Sequence, residues 1–145
     1  MTFRKVTLEG INKYLKSSKG FEKSLEKVTV LTIGDGHCLS ELKVDEDHVN
    51  PFGTLHGGMT STLVDSLSTY GLMSHPKIGS IVTVSLDLNI RFLKAAKIGD
   101  TIIIDSKTTK AGKTIAFCNV DISNKSSKEI VAQASHIKFI MRPDN

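Results

Sequence analysis

The clearest pattern in the chain is a strict alternation of apolar and polar side chains between residues 82 and 92. Every even position is apolar, whereas Thr, Ser, Asp, Asn and Arg occupy the odd positions. A period of two is typical of a β-strand that buries one face. We therefore predict a long strand whose buried face carries Val82, Val84, Leu86, Leu88, Ile90 and Phe92.

The segment that precedes this strand has helical spacing instead. Its larger side chains share one face of a helical wheel, together with Gly71; they are Met59, Leu63, Val64, Leu67, Tyr70 and Met73. This pattern predicts a helix from Gly57 to about Met73, which His75 and Pro76 bring to an end. The opposite face carries small hydroxyl side chains and one acid: Ser61, Asp65, Ser68 and Thr69.

The remaining elements are shorter. Leu8, Ile11 and Leu15 indicate an amphipathic N-terminal helix. Strands are expected at 27–33 and 38–44, joined by the turn Gly34-Asp35-Gly36, and then at about 100–109, 114–123 and 129–140. One long helix beside six strands predicts an α+β fold, a largely antiparallel sheet that wraps around the helix, in a single domain of residues 1–145.

Composition narrows the protein class. The 145-residue chain is 39% hydrophobic and contains no apolar run that approaches a membrane span. Its N-terminus has no apolar signal segment, and although its lysines and serines resemble a mitochondrial presequence, the amphipathic helix is favoured. Cys38 and Cys118 fall in strand segments and suit a reducing compartment. We predict a cytoplasmic or mitochondrial location.

Positive charge is concentrated in one part of the chain, which we call the basic strip. It comprises Arg91, Lys94, Lys97, Lys107, Lys110 and Lys113, set against two acids in the same segment. Such a strip attracts nucleic acid, an anionic membrane or a phosphorylated small molecule, or is simply a solvated strand face. No aromatic RNA-binding pattern or recognition helix is present, so we predict no nucleic-acid partner.

Asp65 is the only charged residue between positions 49 and 73. Since 23% of the chain is charged, these 25 residues would ordinarily hold about six charges. A helix face in contact with water normally carries Lys and Glu, so close packing against a second copy is expected. A carboxylate confined there suits a general base or nucleophile. The alternative is an Asp held by hydrogen bonds to the neighbouring hydroxyls.

The sequence His56-Gly57-Gly58 begins the same helix. The first turn of a helix has unpaired N–H groups and a positive dipole end, and glycine lets a ligand approach that backbone. An oxyanion hole can be built in this way, although a Gly-Gly pair can also merely cap a helix. Asn50 lies a few residues earlier. No His or Cys is spaced to join His56 on a metal, so none is predicted.

The run Asn50-Pro51-Phe52-Gly53-Thr54-Leu55-His56-Gly57-Gly58, followed by Asp65, resembles the signature of hotdog-fold acyl-CoA thioesterases of the PaaI and 4-hydroxybenzoyl-CoA thioesterase group. The resemblance extends from the N-terminal helix through residues 85–90 to Ala132 and Gln133. It implies a hotdog fold, in which a curved sheet wraps a central helix, and dimers that pair into tetramers. It also implies hydrolysis of medium- to long-chain acyl-CoA to fatty acid and coenzyme A, without a cofactor.

The resemblance also implies roles for individual residues. Gly57 donates its backbone N–H to the oxyanion with support from Asn50, and His56 orients the Asn50 side chain. Asp65 activates the water that Ser85 helps to hold. The implied contacts with the coenzyme A substrate are Ser85, Asp87, Phe92, Leu93, Lys94, Ala95, Ala96, Lys97, Lys110, Ala111, Gly112, Lys113, Thr114 and Ile115.

Two other functions remain open at this stage. A hydratase or dehydratase of acyl thioesters would need a His–acid pair, for which His56 and Asp65 are candidates. A non-catalytic acyl-CoA sensor would bind through the same basic strip. The combination of Asn50, Gly57 and Asp65 favours hydrolysis over both.

Overall fold

The computed structural model describes residues 5–143. Its elements in chain order are α1 (Leu8–Ser17), β1 (Thr29–Gly34), β2 (His37–Lys43), α2 (Gly57–Met73), β3 (Thr83–Phe92), β4 (Thr101–Ala111), β5 (Ile115–Asn124) and β6 (Ile130–Ile140). Short 3₁₀ helices at Gly20–Leu25 and Glu46–His48 complete the order. The long helix has the two ends that the sequence predicts.

The six strands form one open sheet in the order β1-β2-β4-β5-β6-β3. Every neighbouring pair is antiparallel. The strand that follows α2 therefore reaches the edge of the sheet, where it pairs with the last strand of the chain. The predicted α+β class, a six-stranded antiparallel sheet around one long helix, is confirmed.

Helix α2 packs its apolar face onto the sheet, and Leu63, Val64 and Leu67 are completely buried. Near the end of the helix, a Cβ on Gly71 would lie 3.3 Å from Cβ of Cys38, so glycine permits this close approach to β2. The predicted β1–β2 hairpin is present. Its turn residues Asp35 and Gly36 both have positive φ, 51° and 84°, as a tight two-residue turn requires.

The alternating segment forms β3, but the prediction that its apolar side chains share one buried face is wrong. Val82, Val84, Leu86, Leu88 and Phe92 are all between 36% and 62% exposed. One reason is that β3 is an edge strand, which has a neighbouring strand on one side only in the part of the chain that the structure describes.

The second reason is a register shift in β3 between Ser85 and Asp87. On one side of this bulge Ser85 lies opposite Lys138, and on the other side Leu88 lies opposite His136. Lys138 and His136 both contact α2, so the bulge turns an odd and an even position of β3 toward the helix. A continuous alternation would have placed Ser85 and Leu88 on opposite faces.

Two polar residues of β6 are buried against α2. His136 is fully buried, with its Nδ1 atom 2.7 Å from Oγ of Ser68. Lys138 is 3% exposed and donates from Nζ to Oγ1 of Thr69 at 2.6 Å. The polar face of α2 is thus partly covered by β6 of the same chain, and the expectation that a second copy covers the remainder stays a prediction. Asp65, on that face, keeps 52% of its side chain exposed.

The buried His136 ring is held neutral by its surroundings. Burial lowers its pKa to about 4, and the positive charge of Lys138 acts in the same direction. The carboxylates of Asp65 and Asp87 oppose this shift without cancelling it. Burial also lowers the pKa of Lys138. Both groups are therefore held where their charged forms are disfavoured.

This arrangement predicts a loss of stability in mild acid. The pKa of His136 is about 4 in the folded chain against its ordinary value of 6.5, so the unfolded chain binds the proton more readily between those values. The free energy of unfolding should fall as pH decreases through that window, with a slope approaching about 1.4 kcal/mol per pH unit. His136→Gln should flatten this slope.

The measurement is urea unfolding followed by circular dichroism, from pH 7 down to pH 4, at a fixed protein concentration. Burial also lowers the pKa of His48, and this contribution remains in both proteins. Parallel stability curves for the wild type and His136→Gln would contradict the prediction.

Candidate active site

The first half of the site lies at the start of α2. His56 caps the helix, because its Nδ1 atom accepts a hydrogen bond from the Gly58 N–H at 2.8 Å. Gly57 is the first helical residue, and an N–H in this first turn has no partner within the helix. A Cβ on Gly57 would lie 3.6 Å from Cε1 of Phe92, so the aromatic ring stands close beside this backbone.

Asn50 shapes the loop that leads into the helix. Its Nδ2 atom donates to Oγ1 of Thr54 at 2.8 Å, and its Oδ1 atom accepts from the N–H groups of Phe52 and Thr54. No hydrogen bond joins His56 to Asn50 within residues 5–143, and each side chain bonds within its own turn, so the orienting role of His56 stays a prediction. The Asn50 amide has two N–H donors, so Thr54 does not exhaust its capacity.

A cavity of about 300 Å³ opens next to the helix start. It is lined by Thr54, Leu55, Thr60, Phe92, Leu93, Lys94, Ala95, Ala96, Val131 and Ala132. Lys97 follows in a bridge to Thr54. The structure therefore brings the segment 92–97 together with Gly57 and Asn50. We call this group the helix-start half.

The second half of the site surrounds Asp65. Its Oδ1 atom lies 3.5 Å from Oγ of Ser85 and 3.8 Å from Nε2 of His136. The hydroxyl groups of Ser68 and Thr69 donate to the Asp65 main-chain carbonyl at 3.2 and 2.8 Å, and not to its carboxylate. These two hydroxyls therefore do not hold the carboxylate, and Ser85 is the hydroxyl within reach of it in the described residues. The carboxylate oxygens face partly open space.

The hairpin between β4 and β5 lies at the same end of the sheet. Ile115 is opposite Phe139, which in turn is opposite Val84 at the beginning of β3. A shallow cavity here is lined by Lys77, Ala111, Gly112, Lys113 and Arg142. We call Asp65, Ser85, His136 and the hairpin 110–115 the carboxylate half. Asp87, opposite Ile137, lies on the other face of β3 from Ser85 because of the bulge.

The two halves are far apart in one chain. Gly57 and Asp65 are eight residues apart on α2, which corresponds to about 12 Å. Val84 and Phe92 are eight residues apart on β3, which corresponds to about 25 Å. A general base and an oxyanion donor must each come within about 3 Å of the reacting atoms. The chain therefore holds two half-sites and not one complete site.

Sequence reasoning missed His136 and Lys138 beside the carboxylate, and it placed Ser68 on the Asp65 face of the helix without its contact to His136. A signal for the first two was present in β6, where Ala132 and Ile140 are buried on the face that contacts α2. Positions 136 and 138 continue the same alternation but carry a histidine and a lysine. Polar residues at positions where the strand alternation predicts buried apolar residues indicate a specific hydrogen-bonding or functional role.

The basic strip, the cysteines and the possible metal ligands provide weaker evidence for a functional site. In the basic strip, Lys94 pairs with Glu129, and Lys107 lies 3.8 Å from Asp105. Burial raises the pKa of the Cys38 thiol to about 12, which disfavours a nucleophilic thiolate. Within residues 5–143, no three His, Cys, Asp or Glu side chains are grouped to hold a metal ion. None of the helices in that range is long and apolar enough to cross a membrane.

Comparison with known proteins identifies the family of this chain. The family model for the thioesterase superfamily matches residues 52–131. The chain is 39% identical to human acyl-coenzyme A thioesterase 13 over 140 residues, 97% of this chain and 99% of the relative. The crystal structure of zebra fish thioesterase superfamily member 2 is 41% identical with a TM-score of 0.89, over 94% of this chain and 99% of that one.

A more distant structure is a hypothetical thioesterase from Streptococcus pneumoniae, solved with coenzyme A. It is 29% identical with a TM-score of 0.74, and the match covers 80% of this chain and 87% of that one. The resemblance carried by residues 50–58 and Asp65 is thereby confirmed over nearly the whole chain. The chain belongs to the thioesterase superfamily.

Proposed function

We propose that this acyl-CoA thioesterase cleaves medium- to long-chain fatty acyl-CoA into a free fatty acid and coenzyme A. Asp65 of one subunit activates the water, and Gly57 of a second subunit stabilises the oxyanion. The observation that carries this proposal is the position of the two half-sites at opposite ends of the edge strand β3. The coenzyme A bound to the related Streptococcus pneumoniae protein supports the substrate class.

A second copy paired along β3 completes the site. The edge of β3 presents unpaired backbone groups, and its exposed side chains include Val84, Leu86 and Phe92. Two copies related by a two-fold axis would pair antiparallel, so that the start of one β3 lies beside the end of the other. The carboxylate half of each chain then meets the helix-start half of its partner. A dimer of this kind contains two equal sites.

The outer face of the sheet supports a further pairing of dimers into a tetramer. Ile115 lies opposite Phe139, and Phe117 lies opposite Ile137, on the face away from α2. Ile115 and Phe117 are 38% and 39% exposed. An apolar patch on a sheet face is typical of an interface between subunits.

The buried thiols suit the cytosol or the mitochondrion as the compartment.

The chemistry proceeds by addition of water to the thioester carbonyl. The carboxylate of Asp65 takes a proton from the water as its oxygen attacks the carbonyl carbon. Charge then develops on the carbonyl oxygen, where the Gly57 N–H and the second N–H of Asn50 donate hydrogen bonds. When the tetrahedral intermediate collapses, the carbon–sulfur bond breaks. The proton held by Asp65 neutralises the departing thiolate of coenzyme A.

The phosphates of coenzyme A require cations outside the reaction centre. Lys97 adjoins the helix-start half, while Lys110 and Lys113 belong to the hairpin of the carboxylate half, and all three are exposed. In the proposed dimer these two groups of cations flank one entrance. The mainly apolar cavity beside Phe92 and Leu93 lies on the inner side, where part of the acyl group can be held.

The carboxylate is tested by Asp65→Asn, which keeps the shape of the side chain but cannot accept the proton. We expect kcat for thiol release to fall by about 10²-fold or more, with unchanged circular dichroism. Ser85→Ala should cost less, because it only loosens the water. Glu9→Gln neutralises an exposed carboxylate on α1 and serves as the control. The assay uses acyl-CoA from acetyl to stearoyl, and near-normal turnover by Asp65→Asn would refute the role of general base.

The shared site is tested by mixing two inactive variants, Asn50→Ala and Asp65→Asn, in a refolding experiment. In a mixed dimer one site receives both lesions and the other receives none. Random pairing makes about half of the dimers mixed, so about a quarter of wild-type activity should return. Asp65→Asn mixed with Asp65→Ala is the control, because every site then lacks the base. No recovery in dimers that have exchanged subunits would show that Asp65 serves its own chain.

The role of the hairpin cations is tested by salt. Exposed charge pairs are screened, so KM of the wild type should rise with ionic strength. Lys110→Ala and Lys113→Ala should each raise KM by about 1.5- to 5-fold at low salt, as expected for exposed ion pairs, with little change in kcat. Lys16→Ala, on the surface of α1, is the control. A KM that does not respond to salt would identify the strip as a solvated surface.

A further inference from the structure

Four hydrogen-bonding groups form a loop that begins and ends at Asp65. The Ser68 hydroxyl donates to the Asp65 main-chain carbonyl at 3.2 Å. Oγ of Ser68 lies 2.7 Å from Nδ1 of His136, and Nε2 of His136 lies 2.7 Å from Oγ of Ser85. Oγ of Ser85 then lies 3.5 Å from Oδ1 of Asp65. The imidazole ring therefore connects the helix that carries the carboxylate to the strand that carries Ser85.

Counting donors limits the protons in this loop to two arrangements, one for each tautomer of His136. A hydroxyl group has one proton, and a neutral imidazole has one N–H and one acceptor nitrogen. The Ser68 proton goes either to His136 Nδ1 at 2.7 Å or to the Asp65 carbonyl at 3.2 Å. In the second arrangement the Ser68 oxygen accepts a hydrogen bond from His136 Nδ1–H. Nε2 of His136 is then the acceptor nitrogen. The Ser85 hydroxyl donates to it over 2.7 Å, in preference to the carboxylate at 3.5 Å.

We propose that His136 is a positioning residue for hydrolysis, which takes up the Ser85 proton so that Ser85 presents only acceptor lone pairs to the water. This inference rests on the proposed function. A water molecule between Ser85 and Asp65 then donates one proton to each of them. Its own lone pair is left directed away from both acceptors, toward the thioester carbonyl. The opposite tautomer would turn the Ser85 proton toward the water or the carboxylate and block one of those bonds.

The surroundings of the ring maintain this arrangement. His136 is fully buried, and Lys138 lies two residues along the same face of β6. A second proton on the ring would place two cations side by side out of water. Two carboxylates oppose this by favouring a charged ring, namely Asp65 on α2 and Asp87 on the outer face of β3. A ring that stays neutral keeps one acceptor nitrogen for Ser85 throughout the reaction.

Two amide substitutions separate this role from simple packing. The amide of Gln reaches the position of Nε2 of a histidine, whereas the amide of Asn reaches only the position of Nδ1. His136→Gln can therefore still accept the Ser85 proton, and His136→Asn cannot. We expect His136→Asn to lose about 10- to 100-fold in kcat, a cost typical of removing a group that orients a catalytic ligand. KM should not change, and His136→Gln should retain most of the activity.

A double-mutant comparison tests whether the effect passes through Ser85. In a Ser85→Ala background the hydroxyl is absent, so His136→Gln and His136→Asn should give equal kcat values. An undiminished difference between them in that background would overturn the proposal. Equal activity of the two variants in the presence of Ser85 would overturn it as well, because the ring would then act only as a filler.

The proton assignment is also open to a measurement without substrate or mutation. Nitrogen-15 NMR of the wild-type protein distinguishes a protonated from an unprotonated ring nitrogen, and we expect Nδ1 of His136 to be protonated and Nε2 not. The reverse tautomer would overturn the proposal whatever the activity. If the wild type hydrolysed no acyl-CoA while its ring showed Nδ1–H, the proposed function would fail and the proton assignment would stand.

Discussion

The edge position of β3 is the constraint on which the rest of this structure depends. The strand follows α2 directly, and among residues 5–143 it pairs with β6 alone, so one side of its backbone has no strand partner there. An unpaired edge with exposed Leu86 and Phe92 is costly for a chain that stays alone. The same strand separates the two half-sites by its own length. A second copy along this edge therefore satisfies the backbone and completes the site in a single step.

A bulge in β3 determines which of its side chains face α2. By shifting the register after Ser85, it directs that hydroxyl to the face occupied by Leu88 and His136. Ser85 thereby reaches the carboxylate of Asp65 across the start of the sheet. Asp87 is directed to the outer face by the same shift. A single extra residue thus decides which polar side chain joins the chemistry.

The polar groups between α2 and β6 come at a cost in stability. A histidine and a lysine are buried where apolar residues would pack more favourably. Their hydrogen bonds to Ser68 and Thr69 offset part of that cost. The pKa values of His136 and Lys138 are both lowered, which favours the neutral form of each side chain. Asp65 therefore remains the exposed charged group of α2, whereas the His136 ring beside it is kept uncharged.

Local periodicity determined much of this protein. The bounds of α2, the β1–β2 turn and the existence of all six strands follow from patterns within about 20 residues, because each depends on the spacing of neighbours. The same stretch of sequence carries both Gly57 and Asp65. The burial of β3, however, depends on which strand it pairs with and on a bulge that an alternating sequence does not reveal.

The tertiary structure alone decided how the site is assembled. Ser68 and His136 are 68 residues apart in the chain, and only the register of β6 against α2 brings their atoms to 2.7 Å. Asn50 and His56 are near in sequence, yet each is engaged within its own turn. Gly57 and Asp65 share one helix, and its rise of about 1.5 Å per residue keeps them apart. Sequence identified the reacting groups, but their distances are set by strand order and helix geometry, which no local pattern encodes.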